Sequence, residues 1–99
     1  MVNYRLSRRA DHDIDAIFIF GVEQFGIDQA TEYLLGLHDH FELLTENPDV
    51  WPHITVQKQS FQRSVYQSHT IYYRNNGDQL LIVRVLGQQD IDKALTVSG

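Results

Sequence analysis

The spacing of the apolar residues limits the fold of this chain more than any other feature. The spacing is helical in two consecutive runs, and later in the chain apolar and polar residues alternate as in strands. Apolar side chains recur every three or four residues over positions 10–25 and again over positions 30–44. Gly26 separates the two runs, and glycine favours the positive φ at which helices often end. The link is too short for anything except an antiparallel helical hairpin.

The ends of the two helices are also marked in the sequence. Ser7 is the predicted N-cap of the first helix, and Asp28 is the predicted N-cap of the second. Asn47-Pro48 should end the second helix, because the residue before a proline avoids the helical backbone region.

Alternating apolar and polar residues predict strands on both sides of the hairpin. Residues 2–6 form one short strand, and three more are predicted at 61–66, 69–75 and 79–87. The stretch 49–60 carries a weaker signal, with a loop over one edge of the core and a short strand around Ile54 and Val56. The sequence therefore predicts an α+β domain with the order β-α-α-β-β-β.

Asn76-Gly77 is predicted to join the last two strands as a two-residue type I′ turn. That turn implies a register in which both sheet faces are largely apolar. The predicted pairs are Tyr73 with Leu80, Ile71 with Ile82 and His69 with Arg84 on one face, and Tyr72 with Leu81, Thr70 with Val83 and Ser68 with Val85 on the other. Since one helical layer covers one face, we expect the other to be incompletely covered and to bind a partner.

The composition is that of one globular domain spanning residues 1–99. The chain is 42% hydrophobic and 21% charged, which argues against disorder. It has no cysteine, so disulfides, thiolate metal sites and a cysteine nucleophile are excluded. No apolar run is long enough for a membrane span and no signal peptide is recognisable, so we expect a cytoplasmic protein.

Charge is unevenly distributed along the chain. Residues 10–57 hold ten acidic side chains and no lysine or arginine, whereas residues 1–9 and 58–99 are net basic. The net charge of −5 argues against general nucleic-acid binding, but so divided a chain has a dipole that can steer partners.

The histidines and carboxylates do not form a metal or cofactor motif. His38 and His40 are two residues apart, whereas a metal pair on a helix needs a spacing of three or four. Asp11, Asp13 and Asp15 are predicted to be solvated side chains near the start of the first helix, where negative charge suits the helix dipole. The glycines match neither phosphate-binding pattern, so no cofactor is expected.

One group of residues on the predicted sheet could do chemistry. A ribonuclease could use such arginine, histidine and tyrosine side chains to stabilise phosphate charge and to move protons. The alternative, which we favour, is that the tyrosines pack across strands and the charged groups hold the sheet or a partner. The residues are Arg63, His69, Tyr72, Tyr73, Arg74 and Arg84.

The order of elements, together with short motifs, resembles the ParE toxins of bacterial type II toxin–antitoxin modules, within the RelE/ParE superfamily. The resemblance covers residues 2–95. The chain departs from the family pattern at Gly87, where many relatives have histidine, and at Trp51-Pro52, which replaces a glycine-containing turn. The motifs are Ala10-Asp11 with Ile14 and Ile17, Phe25-Gly26 with Ala30 and Tyr33-Leu34, Leu43-Leu44 with Glu46-Asn47-Pro48, Arg63 with His69-Thr70-Ile71-Tyr72-Tyr73-Arg74, and Arg84-Val85-Leu86 with Asp90.

The resemblance implies a toxin that inhibits DNA gyrase by protein binding, has no active site, and is neutralised by the C-terminal arm of a ribbon-helix-helix ParD-type antitoxin. It also implies the RelE/ParE-like fold with a short C-terminal tail or helix near residues 90–95. An acidic arm would suit the basic strand segments, while the acidic hairpin would face either basic gyrase surface or water. The predicted antitoxin or partner contacts are Arg63, His69, Tyr72, Tyr73, Leu81, Val83, Arg84 and Val85.

Two other functions stay open at this point. One is a RelE-like, ribosome-dependent messenger-RNA endonuclease that uses Arg63, His69, Tyr73 or Arg84 in phosphate transfer. The acidic net charge argues against it, because grasping RNA needs a basic surface. The other is a non-toxic relic that only binds its antitoxin.

Overall fold

The computed structural model describes residues 3–87, which form one five-stranded sheet packed against a helical hairpin. The sheet order is β1-β5-β4-β3-β2, with β1 parallel to β5 and the other neighbours antiparallel. This confirms the predicted α+β class; the predicted C-terminal tail or helix lies outside the described residues. The elements are β1 Asn3–Leu6, α1 Arg8–Phe25, α2 Ile27–Glu46, β2 His53–Val56, β3 Gln59–Tyr66, β4 His69–Asn75 and β5 Gln79–Gly87.

The helix ends follow local capping chemistry. Ser7 caps α1 as predicted, because its Oγ accepts a hydrogen bond of 3.0 Å from the Ala10 backbone N–H. Gly26, at φ 92°, lies between the helices and is itself the N-cap of α2. The prediction that Asp28 caps α2 was wrong: this residue lies in the first turn, where its charge suits the helix dipole. Asn47 ends α2 as predicted.

The apolar stripes of both helices pack on one face of the sheet, called the helix face here. Gly21 brings the helices together, since a Cβ there would lie 3.2 Å from the Cβ of Ala30. Trp51, from the loop before β2, packs against the edge of this core. Burying these side chains is the main source of stability. The core comprises Ala10, Ile14, Leu37, Phe41, Leu44, Ile71, Tyr73, Leu80, Ile82 and Val85.

The β4–β5 turn differs from the prediction. The Asn75 side chain accepts a hydrogen bond of 2.9 Å from the Gly77 backbone N–H, so the chain begins to turn at Asn75. The two central turn residues are Gly77 and Asp78, flanked by the Asn76 N–H bond to the Gln79 carbonyl at 3.0 Å. Gly77 has φ 92° and Asp78 has no positive φ, so the predicted type I′ turn at 76–77 was wrong.

A β-bulge then changes which face the end of β5 presents. Tyr73 pairs with Ile82, but Tyr72 pairs with Arg84, which leaves Val83 as an extra residue. The extra residue reverses the alternation beyond it. The predicted register was wrong in two ways. The turn at 77–78 shifts the pairs by two, so that Tyr73 pairs with Ile82 and not with Leu80. The bulge then places Arg84 on the face away from the helices and Val85 in the core.

The face away from the helices is called the far face here. It was predicted to be incompletely covered, but much of its apolar surface is buried. Tyr72 is fully buried, and Thr70 and Phe61 are also buried. Arginine neighbours share this face, because Arg63 and Arg84 pair with Tyr72 from the two adjacent strands. Long arginine stems cover apolar surface while their charged ends reach water. The exposed apolar surface that remains on this face includes Val65, which is 52% exposed.

Candidate partner-binding surfaces

An ion pair between Asp13 of α1 and Arg84 of β5 connects the first helix to the bulged end of β5. The Asp13 carboxylate accepts hydrogen bonds from Arg84 Nε at 2.8 Å and Arg84 Nη2 at 3.0 Å. It also accepts one from the Val85 backbone N–H at 3.0 Å, on the stretch of β5 beyond the end of β1. The hydrogen bond to Asp13 raises the pKa of Arg84. The expectation that Asp13 is solvated was wrong, because its carboxylate accepts hydrogen bonds from Arg84 and from a backbone N–H at the open edge of β5.

Beside this ion pair, three arginines from three elements line one depression of about 360 Å³ on the far face. Arg9 comes from the start of α1, Arg74 from β4 and Arg84 from β5. Apolar side chains from β2, β3 and β5 also line it. We call this the arginine depression: Arg9, Val56, Gln57, Gln59, Phe61, Arg74, Leu81, Val83 and Arg84.

Arg74 is held against the floor of the depression. Its guanidinium carbon lies 4.7 Å from the centre of the Phe61 ring, in a cation–π contact. Its Nη2 donates to Gln59 Oε1 at 2.6 Å, while its Nε is buried without a hydrogen-bond partner among residues 3–87. Arginine binds carboxylates through paired N–H groups. The depression therefore suits an acidic segment that also carries apolar side chains.

The structure places five of the eight predicted contact residues on this face. Leu81, Val83 and Arg84 line the arginine depression. Arg63 lies exposed on the same face, opposite Tyr72 in the register. Tyr72 supports this surface from below, since its side chain is fully buried.

Tyr73 and Val85 lie in the helix-side core instead. Tyr73 is fully buried and donates a hydrogen bond of 3.2 Å to the Pro48 carbonyl, and burial raises its pKa to about 12. Val85 packs in the same core because of the bulge. Neither side chain is accessible to a partner, so we leave both out of the proposed surface.

His69 is the remaining predicted contact residue, and it lies on the helix face. Its Nδ1 is 2.6 Å from the Tyr33 hydroxyl of α2, and burial lowers its pKa. Arg63 and Arg84 lie on the opposite face of the sheet. These three side chains therefore do not come together on one face, as the active site of a ribonuclease would require.

A second concave surface lies on the helix face, between the hairpin and the turn that joins β3 to β4. Its volume is about 300 Å³. The groove was not predicted: helical spacing puts Phe25 on the apolar stripe of the first helix, whereas its side chain is 65% exposed. The sequence feature that could have indicated this surface is Phe20 and Phe25 on either side of Gly21, the residue at which the helices approach closely. We call this the hairpin groove: Ile17, Phe18, Phe20, Gly21, Phe25, Gln29, Ala30, Tyr33, Leu34, Gln67, Ser68 and His69.

Other kinds of site find no support in the part of the chain that the structure describes. Residues 3–87 contain no group of three or more histidine or carboxylate side chains placed to hold a metal ion. Neither α1 nor α2 has the apolar length that a bilayer-spanning helix needs.

The hairpin-on-sheet architecture with two open surfaces defines a small α+β protein suited to binding another macromolecule. Its fold matches a solved structure, "Chromosomal ParDE TA system from P. aeruginosa", with a TM-score of 0.75 and 17% identity over 88% of this chain and 96% of that one. The sequence model described as "ParE toxin of type II toxin-antitoxin system, parDE" matches residues 4–91. The chain belongs to this ParE toxin family, which confirms the resemblance seen in its motifs.

Two curated relatives cover nearly all of the chain. Toxin ParE1 of Caulobacter vibrioides is 34% identical over 88 residues, which is 89% of this chain and 91% of that protein. Toxin ParE1 of Mycobacterium tuberculosis strain H37Rv is 30% identical over 94 residues, which is 93% of this chain and 96% of that protein.

Proposed function

We propose that this chain is a toxin that inhibits DNA gyrase in the cytoplasm by binding to it, without catalysis, and that a ParD-type antitoxin neutralises it. Membership of the ParE family supports the toxin role. The gyrase target and the antitoxin partner extend to this chain what the family resemblance implies.

The arginine depression carries the antitoxin part of the proposal. Arg9 and Arg74 line an otherwise partly apolar depression on a chain whose net charge is −5, and Arg84, whose guanidinium is paired with Asp13, lies beside them. A clustered positive surface on an acidic protein favours an acidic partner, because complementary charge speeds association and excludes wrong partners. The proposed contacts are Arg9, Arg63, Arg74, Leu81, Val83 and Arg84.

The placement of the polar groups supports binding over catalysis. Arg84, a candidate for phosphate transfer, already donates two hydrogen bonds to Asp13. His69, a candidate proton donor, lies on the other face of the sheet against Tyr33. An acid and a charge stabiliser must reach the same reacting atoms, and these two do not share a face.

The experiment adds purified chain to a gyrase supercoiling reaction and, in parallel, to a translating ribosome reaction with messenger RNA. We expect supercoiling to be lost, message to stay intact, and added antitoxin to restore supercoiling. Cleaved message with normal supercoiling would establish the endonuclease instead. Inactivity in both reactions, with tight antitoxin binding, would identify a relic.

A further inference from the structure

Strand β2 forms one edge of the sheet, and some of its backbone polar groups face away from its neighbour β3. The Arg63 backbone N–H donates to the Pro52 carbonyl at 3.0 Å, which fixes the hydrogen-bonded positions along this pair of strands. Because such positions alternate in antiparallel strands, Ile54 bonds to β3, whereas the N–H and C=O groups of His53 and Thr55 point outward. These outward groups have no neighbouring strand in the described part of the sheet.

This edge lacks the features that usually stop strands from pairing between molecules. No lysine, carboxylate or proline occurs within His53–Val56, and its register with β3 contains no bulge. Both residues with outward-facing backbone groups, His53 and Thr55, are exposed, so a second strand can approach them. The edge is only 4 residues long, which predicts a weak contact that depends on protein concentration.

A second copy of the same strand fits the edge in antiparallel orientation. Pairing His53 of each copy with Thr55 of the other forms about four backbone hydrogen bonds and places a two-fold axis between the two Ile54 residues. Ile54 pairs with Phe61 of β3, so its partly buried side chain lies on the far face. At the axis it would contact its own copy, as an apolar cross-strand pair with no charge repulsion.

The residues on either side of β2 also suit an antiparallel copy. Asp49 and Val50 precede the strand and Lys58 follows it, and all three are exposed. Antiparallel pairing brings the chain before β2 in one copy towards the chain after β2 in the other. Lys58 would then approach Asp49 of the second copy, and its stem would cover Val50, which is 70% exposed. A parallel copy would instead bring the two lysines together.

We propose that β2 pairs with β2 of a second copy of this chain, so that the two chains form one continuous sheet with Ile54 at the two-fold axis. The axis is perpendicular to the sheet, so both helical hairpins lie on one side and both arginine depressions lie on the other. The contact requires neither gyrase nor an antitoxin, so its failure and the failure of the proposed function are separate results.

Disulfide trapping tests the register directly, because the chain contains no cysteine. The two Ile54 positions would form a non-hydrogen-bonded pair with Cα atoms about 4.5 Å apart, a separation that a disulfide spans. We expect mild oxidation to trap Ile54→Cys as a covalent dimer at least about tenfold faster than Val65→Cys, since pairing raises the effective concentration of the two thiols. Val65, also on the far face, is the matched control because it is 52% exposed. Equal trapping rates would overturn the proposal.

Charge substitutions at the axis test the contact without a cross-link. We expect the average mass of the wild-type chain in sedimentation equilibrium to rise towards twice the monomer mass as concentration increases. Ile54→Lys and Ile54→Glu should each weaken association about tenfold or more, because each introduces a like charge opposite itself. An equimolar mixture of the two variants should recover association, because lysine then faces glutamate.

Ile19→Lys is the control for the charge variants, since it changes an apolar residue of α1 that is 60% exposed. It should associate like the wild type, and unfolding curves show that each variant is folded. A wild type that stays monomeric up to about 0.5 mM would overturn the proposal. So would association that persists in both Ile54 variants, or a mixture that associates no better than either variant alone.

Discussion

The Asp13 carboxylate accepts hydrogen bonds from both the Arg84 side chain and the Val85 backbone, and so ties α1 to the bulged end of β5. Their side chains are only 15% and 16% exposed, for Asp13 and Arg84 respectively. Through this contact one carboxylate positions an arginine of the far face and closes an open strand edge.

Asp13→Asn should lower the free energy of unfolding by about 1–3 kcal/mol, because a largely buried arginine side chain and a backbone N–H lose a charged acceptor. Urea unfolding of the purified chain measures this. Asp15→Asn, on the exposed side of the same helix, should change stability little. Equal stability of the wild type and Asp13→Asn would show that the ion pair is not important to the fold.

Arg9→Gln should weaken binding of the antitoxin arm about tenfold, because the arginine depression would lose a guanidinium that can pair with a carboxylate. Arg9 is exposed, so the variant should fold normally. Isothermal titration with an arm peptide measures the affinity. Arg8→Gln, also exposed but outside the depression, is the control, and equal loss in both variants would indicate only general charge attraction.

Gly36→Ala should destabilise the chain by about 1–3 kcal/mol although alanine is the better helix former, since a Cβ there would collide with the Tyr66 hydroxyl. Tyr66→Phe removes that oxygen and should recover most of the loss in the double variant. Thermal or urea unfolding of the four proteins tests this. Failure of Tyr66→Phe to recover any stability would mean that the contact is not the cause.

Stability should fall as the pH drops below about 6.5, the ordinary pKa of a histidine side chain. Burial lowers the pKa of His40 and His69, so the folded state binds protons less readily than the unfolded chain. His40 Nε2 is 2.8 Å from Ser64 Oγ, which ties α2 to β3. The stabilisation is present above the unfolded pKa and is lost as the pH falls through it towards the folded values.

Urea midpoints between pH 7.5 and pH 5 measure this dependence, and His40→Gln should make it shallower. His12→Gln, which changes an exposed histidine of α1, is measured in parallel as the matched substitution. A midpoint that is flat through this range in the wild type would contradict the expected linkage.

The element order was predictable because helical spacing, Ser7, Gly26 and Asn47-Pro48 all mark local structure in the sequence. The conformations of the turns were less predictable. Gln57 and Lys58 both have positive φ, at 49° and 67°, and make a tight β2–β3 turn without the asparagine or glycine that usually marks one. Pairing of the flanking strands sets this backbone.

The candidate site was only partly predictable, because it depends on a bulge. A single extra residue, Val83, moves Arg84 to the far face and Val85 into the core, and alternation alone does not reveal it. The role of Asp13 depends on where β1 ends along β5, which is a contact between residues about seventy positions apart. Local patterns carry no information about such a contact.

The most direct measurement of whether the far face binds the antitoxin uses the absence of cysteine from the chain. Val83→Cys places a thiol in the arginine depression, at a partly exposed position. Leu43→Cys places one on α2, where the native side chain is 44% exposed. The rate of maleimide labelling is measured with and without a saturating ParD-type antitoxin. Our account predicts that antitoxin slows labelling at position 83 and leaves position 43 unchanged; unchanged labelling at position 83 in a demonstrated complex would contradict it.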